Sequence, residues 1–261
     1  MENGMDAQMI KVAVLGACGK MGREVVKAVG GVEDMRLVGA CDVVEAADLG
    51  VSVQTNFESM LNTSGPDVVV DFAKPFVMEN SRKAIERGIV PIIGTTGLTE
   101  IELSELNRLS EKKGIAAMVI PNFAIGAVLM MRFAAQAAKY MPNVEIIELH
   151  LDKKIDAPSG TAIKTAEMIQ SSRREAGVVA DAPMGGDDPA RGDLCEGVRV
   201  HSVRLPGLVA HQEVLFGGAG QLLTIKHDSL DRTSFMPGVL LAIRSAAQSK
   251  GLVYGLDNLL K

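Results

Sequence analysis

The sequence predicts an α/β protein: an N-terminal Rossmann-type, doubly wound parallel sheet followed by a smaller α+β unit with a mixed sheet. Three observations predict it. Up to a helix that ends near Met141, short β-branched and apolar runs alternate with helical stretches, the order of a parallel sheet with right-handed crossovers. A G-x-x-G-x-x-G turn (Gly16, Gly19, Gly22) stands directly behind the first run. Past residue 178 the alternation gives way to an aperiodic Gly/Pro/Asp stretch and then to strand-like segments with a glycine turn between the last two. At 261 residues the chain is also of the size at which one core tends to divide into two.

Each element follows in order. Residues 10–15, IKVAVL, form a buried parallel strand that ends in Gly16. The glycine turn opens an amphipathic helix, so its first amides can meet a pyrophosphate, with Lys20 and Arg23 adding charge. A second strand, RLVGAC, ends in Asp42, about twenty residues past the glycines, where a dinucleotide fold places a carboxylate on the adenine-side ribose. A nicotinamide dinucleotide is therefore the expected cofactor. Val43 follows Asp42, so no arginine stands where a 2′-phosphate is often held, and NADH suits the site at least as well as NADPH; Lys20 is the cation that could reach such a phosphate. PDVVVDF is the next strand and delivers Asp71 and Phe72 to its end, with Pro75 and Gly88 bracketing a helix. IVPIIG leads into Gly94-Thr95-Thr96-Gly97, before Thr99 and Glu102 make the capping box of a helix that stops at Gly114. IAAMVIPNF gives one more strand and the turn Pro121-Asn122-Phe123, then AIGAVLMMRFAAQAAKYM is a mostly apolar helix whose methionines are core.

The second unit is expected to contain GVRVHSVRL, HQEVLF and QLLTIKHD as strands, the last two joined at GGAG. Residues 235–248 read as a helix with Pro237 and Gly238 in its opening turn, returning to the first unit. The expected boundaries are 1–122 joined by 231–261 for the dinucleotide-binding unit, and 123–230 for the second.

Composition narrows the function classes. A net charge of −5 with a pI near 5.5 provides no basic field for nucleic acid or an acidic membrane surface. Cys18, Cys41 and Cys195 have neither disulfide nor metal-ligand spacing, so they are expected as thiols and no metal is expected. MENGMDAQ at the start lacks the basic and apolar regions of a signal peptide, and no run approaches a membrane span, so a cytoplasmic protein is expected.

Chemistry concentrates in residues 144–163, VEIIELHLDKKIDAPSGTAI. His150 and Lys154 lie four apart, a spacing that puts both on one face of a strand or a helix. Ser159, Gly160 and Thr161 open an apolar run with helical spacing, so backbone amides and hydroxyls stand at a helix N-terminus, where anions bind. An acid, an ammonium and an anion cradle converge there. His201, His211 and His227 lie on strand-like segments and are expected to make structural hydrogen bonds, with His211 the one to watch.

GACGKMG, VVVDF, GTTG, PNF, ELHLDKKIDAPSGTA, HSVRLPG with a following His211, and FMPGVLLAIR together resemble the 4-hydroxy-tetrahydrodipicolinate reductase (dihydrodipicolinate reductase) family of diaminopimelate and lysine biosynthesis, nearly end to end. The resemblance implies NAD(P)H-dependent reduction of a cyclic dicarboxylate. His150 would be the proton donor, Lys154 the second catalytic cation, and Ser159, Gly160 and Thr161 the holders of a substrate carboxylate. Cofactor contacts would fall on Gly16, Ala17, Cys18, Gly19, Lys20, Met21, Asp42, Phe72, Gly94, Thr95, Thr96, Pro121, Asn122 and Phe123. The second unit would bind substrate and build a homotetramer. The chain departs from the family at Leu151, where a second histidine is usual and where a strand would turn the leucine away from His150 to pack, and at Ala73 and Ala210. Read from the residues alone, an amino-acid imine dehydrogenase and a non-catalytic dinucleotide sensor remain as alternatives.

Overall fold

The computed structural model describes residues 9–181 and 188–260; MENGMDAQ and part of the aperiodic stretch after residue 178 lie outside them. The chain divides into two compact units, one running up to Phe123 and resuming at Phe235, the other spanning Ala124–Ser234.

The first unit begins with β1 (Ile10–Leu15), α1 (Lys20–Gly30), β2 (Met35–Cys41), β3 (Val53–Gln54), α2 (Phe57–Ser64), β4 (Val68–Asp71), α3 (Val77–Glu86), β5 (Val90–Ile93), α4 (Glu100–Lys113) and β6 (Ala116–Val119). The strands are continuous apolar runs because both faces of their sheet are covered: Val12, Val14, Val70, Ile92 and Met118 are fully buried alongside their neighbours. α1 buries Gly22, Val25, Val26 and Val29, a stripe at helical spacing. α4 carries the expected capping box between Thr99 and Glu102 and ends at Gly114 in the left-handed region.

The second unit holds α5 (Ile125–Ala138), β7 (Asn143–His150), α6 (Gly160–Ala176), β8 (Asp193–Cys195), β9 (Val198–Arg204), β10 (Ala210–Gly218) and β11 (Gln221–Ser229). Its sheet has the order β11-β10-β7-β9-β8, and only the β7–β9 pair is parallel, so it is mixed. Register fixes its faces. Val144, Ile146, Glu148 and His150 of β7 stand opposite Phe216, Val214, Gln212 and Ala210 of β10, and these share the side that Gln212 shows to α6 by donating to Thr165 Oγ1. The other face is open, with Leu222 82% exposed.

The chain returns to the first unit as α7 (Met236–Ser245) and β12 (Gly251–Tyr254), which completes a seven-stranded sheet of order β12-β6-β5-β4-β1-β2-β3, parallel throughout. Pro237 and Gly238 stand in the first turn of α7, as expected, and a Cβ on Gly238 would meet the Phe123 carbonyl oxygen at 2.0 Å, so packing also requires glycine there. β3, α2, β8 and β12 are additions to the expected elements.

Candidate active site

The order of the first sheet sets the C-terminal ends of β6, β5, β4, β1 and β2 side by side, and the loops leaving them carry the residues read as cofactor contacts. Gly16 sits at φ 77°, and a Cβ there would lie 3.2 Å from the Ala73 nitrogen. On Gly22 a Cβ would lie 2.0 Å from the Gly16 oxygen, so only glycine lets the first turn of α1 close on the loop. Gly19 is the N-cap and no side chain caps the helix, which leaves the first amides for a ligand. Asp42 Oδ2 accepts from the Cys18 N–H at 2.8 Å and Oδ1 from the Val43 N–H at 2.7 Å, which fixes the carboxylate beside the glycine turn with a lone pair on each oxygen to spare. Glycines that a Cβ would block, an uncapped helix start and a fixed carboxylate together fit a dinucleotide.

Phe72 joins three of these loops. Its ring fills the space above Gly94, where a Cβ would come 2.1 Å from Cε1, and its centroid lies 5.7 Å from that of Phe123. Ala17 and Thr95 are buried, Met21 and Asn122 half-buried, and Lys20, Thr96 and Pro121 exposed. One residue before Phe72, the Asp71 carboxylate accepts from the Ala73 N–H at 2.7 Å and is 2% exposed. Burial pushes this carboxyl up to about 7, outweighing the lowering effect of that hydrogen bond. Arg23 donates through Nε to the Cys18 carbonyl at 3.1 Å and holds Asp48 at 2.6 Å.

In the second unit, β7 ends on His150, whose Nδ1 stands 2.5 Å from Glu148 Oε2. Glu148 is fully buried, yet its carboxyl sits at about 2: burial alone would raise it, and hydrogen bonds from His150, Arg204 and Ser202 more than reverse that. An ionised carboxylate only accepts, so His150 Nδ1 carries the proton and Nε2 is the nitrogen left for other work. Arg204 grips Glu148 with both guanidinium ends, at 3.0 and 2.7 Å, and donates to the Asp156 carbonyl at 2.7 Å. The Ser159 N–H reaches Glu148 Oε1 at 3.3 Å. Ser159 is the N-cap of α6, its hydroxyl accepting from the Ala162 N–H, and a Cβ added to Gly160 would meet open space, so the helix start is approachable. Lys154 pairs with both oxygens of Asp156, at 2.8 and 2.7 Å. His150, Lys154 and Ser159 thus hang on one set of contacts through Glu148, Arg204 and Asp156.

Two expectations need correction. His150 and Lys154 share neither a strand nor a helix: the strand stops at His150, and Lys154 lies in a turn closed by its N–H on the Leu151 carbonyl at 3.1 Å. Leu151 does not pack away but is 39% exposed, because the strand that would have turned it inward has ended. The remaining histidines have structural partners or packing. His201 meets Glu145 at 2.7 Å, His211 meets Asp228 at 2.7 Å, and the His227 ring lies where a Cβ on Gly126 would be. Glu148, Arg204 and Asp156 are functional neighbours the sequence reading missed. For Glu148 a signal existed: it is two before His150, on the same face of the strand as Ile146. Arg204 is 56 residues from Glu148, and nothing local points to it.

Family models described as dihydrodipicolinate reductase, N-terminus, and dihydrodipicolinate reductase, C-terminus, match residues 10–123 and 126–260. The chain is similar to a 4-hydroxy-tetrahydrodipicolinate reductase of Syntrophomonas wolfei, with 51% identity over 97% of this chain and 99% of that protein. It is equally similar to one of Listeria welshimeri, with 51% identity over 96% of this chain and 100% of that one. Among solved structures, a dipicolinate-bound dihydrodipicolinate reductase from Paenisporosarcina superposes with a TM-score of 0.85 at 45% identity, covering 97% of this chain and 100% of that chain.

Proposed function

The chain belongs to the dihydrodipicolinate reductase family, and from that premise we propose how its own residues perform the NAD(P)H-dependent reduction of 4-hydroxy-tetrahydrodipicolinate to tetrahydrodipicolinate. The observation that carries the residue roles is the His150–Glu148 contact at 2.5 Å beside the Ser159–Thr161 helix start. A bound reduced nicotinamide supplies a hydride. The electron density that a hydride leaves on a conjugated imine must be met by a proton, and His150 gives it from Nε2 while Nδ1 stays on Glu148. The Ser159 hydroxyl and the Gly160 and Thr161 amides hold one substrate carboxylate at the positive end of α6. Lys154 meets the negative charge of the substrate in competition with Asp156.

In the first unit, Gly16–Met21 hold the pyrophosphate, Asp42 the ribose, and Phe72, Gly94–Thr96 and Pro121–Phe123 the nicotinamide side. NADH is preferred over NADPH in this reading, because Asp42 occupies the ribose end and Asp48 holds the guanidinium of Arg23. The assembly is a homotetramer built on the open face of the mixed sheet, supported by the exposure of Leu222. Among the described residues no helix is long and apolar enough to cross a membrane, and the proposed location is the cytoplasm.

Initial rates with both cofactors, on substrate generated enzymatically from pyruvate and aspartate semialdehyde, test the reading. His150→Ala and Lys154→Ala are each expected to lower kcat by roughly 100-fold or more with NADH affinity retained. Near-normal turnover in both variants overturns the roles, and reduction of iminoaspartate in place of the cyclic dicarboxylate overturns the substrate.

A further inference from the structure

Glu148 gives and takes no proton in the reaction as drawn above, yet it holds the ring of the acid, and among the described residues it is the most deeply buried charged group of the second unit and the point on which the others converge. A carboxylate out of contact with water persists only where its lone pairs are satisfied. Here they are taken by the His150 ring at 2.5 Å, by both ends of Arg204 at 3.0 and 2.7 Å, by the Ser159 N–H at 3.3 Å and by the Ser202 side chain. Two of these contacts lead directly into the proposed site: one to the ring of the acid, the other to the first residue of the carboxylate cradle. Arg204 carries the connection further, since the guanidinium end that holds Glu148 Oε1 also donates to the carbonyl of Asp156, whose side chain holds Lys154.

We infer that Glu148 is the positioning residue of the reaction, fixing the tautomer and ring plane of His150 through Nδ1 and the height of the α6 N-terminus through the Ser159 amide, so that one buried carboxylate sets the distance from acid to substrate carboxylate. This rests on the reading of His150 as the acid. When the proton leaves Nε2, the neutral ring keeps its Nδ1–H on Glu148, and the tautomer that remains is the one the carboxylate already holds. A glutamine cannot replace it. An amide offers one accepting oxygen and turns its N–H groups toward donors of Arg204, His150 or Ser159, so at least one of the three contacts must break.

Glu148→Gln and Glu148→Asp, measured beside His150→Ala, test the inference. Glu148→Gln is expected to lower kcat about 100-fold and raise KM for the dicarboxylate substrate about tenfold, with KM for NADH within about twofold of the parent. Glu148→Asp, which keeps the charge one methylene short, is expected to recover at least about tenfold of that kcat. A low-field imidazole N–H proton resonance, from the short His150–Glu148 contact, is expected in the parent and absent from both Glu148→Gln and His150→Ala. The inference is overturned by a Glu148→Gln enzyme within about threefold of parental kcat, by Glu148→Asp as poor as Glu148→Gln, or by equal losses of substrate and NADH affinity, which mark a merely structural group. If the glutamine variant does not fold, kcat and the resonance in Glu148→Asp decide. Should His150→Ala itself turn over normally, the reading of the acid has failed, whatever Glu148 does.

Discussion

Asp71 of the first unit and Glu148 of the second are carboxylates at or near strand ends, each almost wholly shut from water, and they are shifted in opposite directions from the ordinary carboxylate range. Asp71 receives one backbone N–H, from Ala73, and burial lifts it to about 7. Glu148 is likewise shut from water, and burial would raise it, but His150, Arg204 and Ser202 hold it at about 2. Burial therefore does not decide the charge of these two acids by itself; whether charged partners offset it does. Where the site needs a permanent negative charge beside an imidazole, the fold brings an arginine from a neighbouring strand. Next to the glycine turn proposed for a pyrophosphate, where a permanent negative charge would repel such a ligand, Asp71 has no cation among the causes of its shift and burial raises its carboxyl to about 7.

Removing the partner that makes the difference is expected to have the largest effect. Arg204→Met leaves Glu148 buried and short of its cation, and the second unit should lose about 3 to 5 kcal/mol in denaturant unfolding. The pH dependence of stability comes next, with opposite signs for the two acids. The folded-state value of Glu148, about 2, lies below its ordinary 4.5, so its contribution is complete above about pH 4.5 and is lost as pH falls toward 2, on the order of 3 kcal/mol in all. The folded-state value of Asp71, about 7, lies above its ordinary 3.8, so its contribution is complete below about pH 3.8 and is lost as pH rises toward 7. Asp71→Asn, which keeps an acceptor for the Ala73 N–H, should therefore stabilise the protein at pH 8 by up to about 4 kcal/mol, the gain shrinking as pH is lowered toward 4 in thermal or denaturant melts. The smallest expected effect lies at the edge of the first unit. Asp48→Ala releases the Arg23 guanidinium, and the ratio of kcat/KM for NADPH to that for NADH should rise roughly fivefold to tenfold.

The same contrast marks what could be read from the chain. The geometry of the loops proposed for the cofactor was legible because glycine spacing, strand ends and a capping box are local signals, each with its own steric cause: Gly22 can be nothing but glycine against the Gly16 carbonyl, and that shows in sequence as a fixed interval. His150 and Lys154 were legible as residues but not as geometry, since no local pattern tells that β7 stops at His150 and a turn carries Lys154 to Asp156. Glu148 reads as an ordinary polar position in an alternating strand unless its face, shared with Ile146, is recognised as the buried one. Arg204 could not be found at all, because its pairing comes from a parallel strand contact 56 residues away. β3 was missed for a plainer reason: at two residues it carries too little periodicity to announce itself.

The opposed states of Asp71 and Glu148 can be observed directly by following side-chain carboxyl carbon resonances of protein labelled with carbon-13 at Asp and Glu, assigned with Asp71→Asn and Glu148→Gln, from pH 8 downward. Asp71 is expected to take up its proton near pH 7, while the Glu148 resonance stays at the ionised position until the fold itself fails in acid. If both titrate together near pH 4, the arginine and the histidine do not set the charge of Glu148, and the account of how this site holds its acid is wrong.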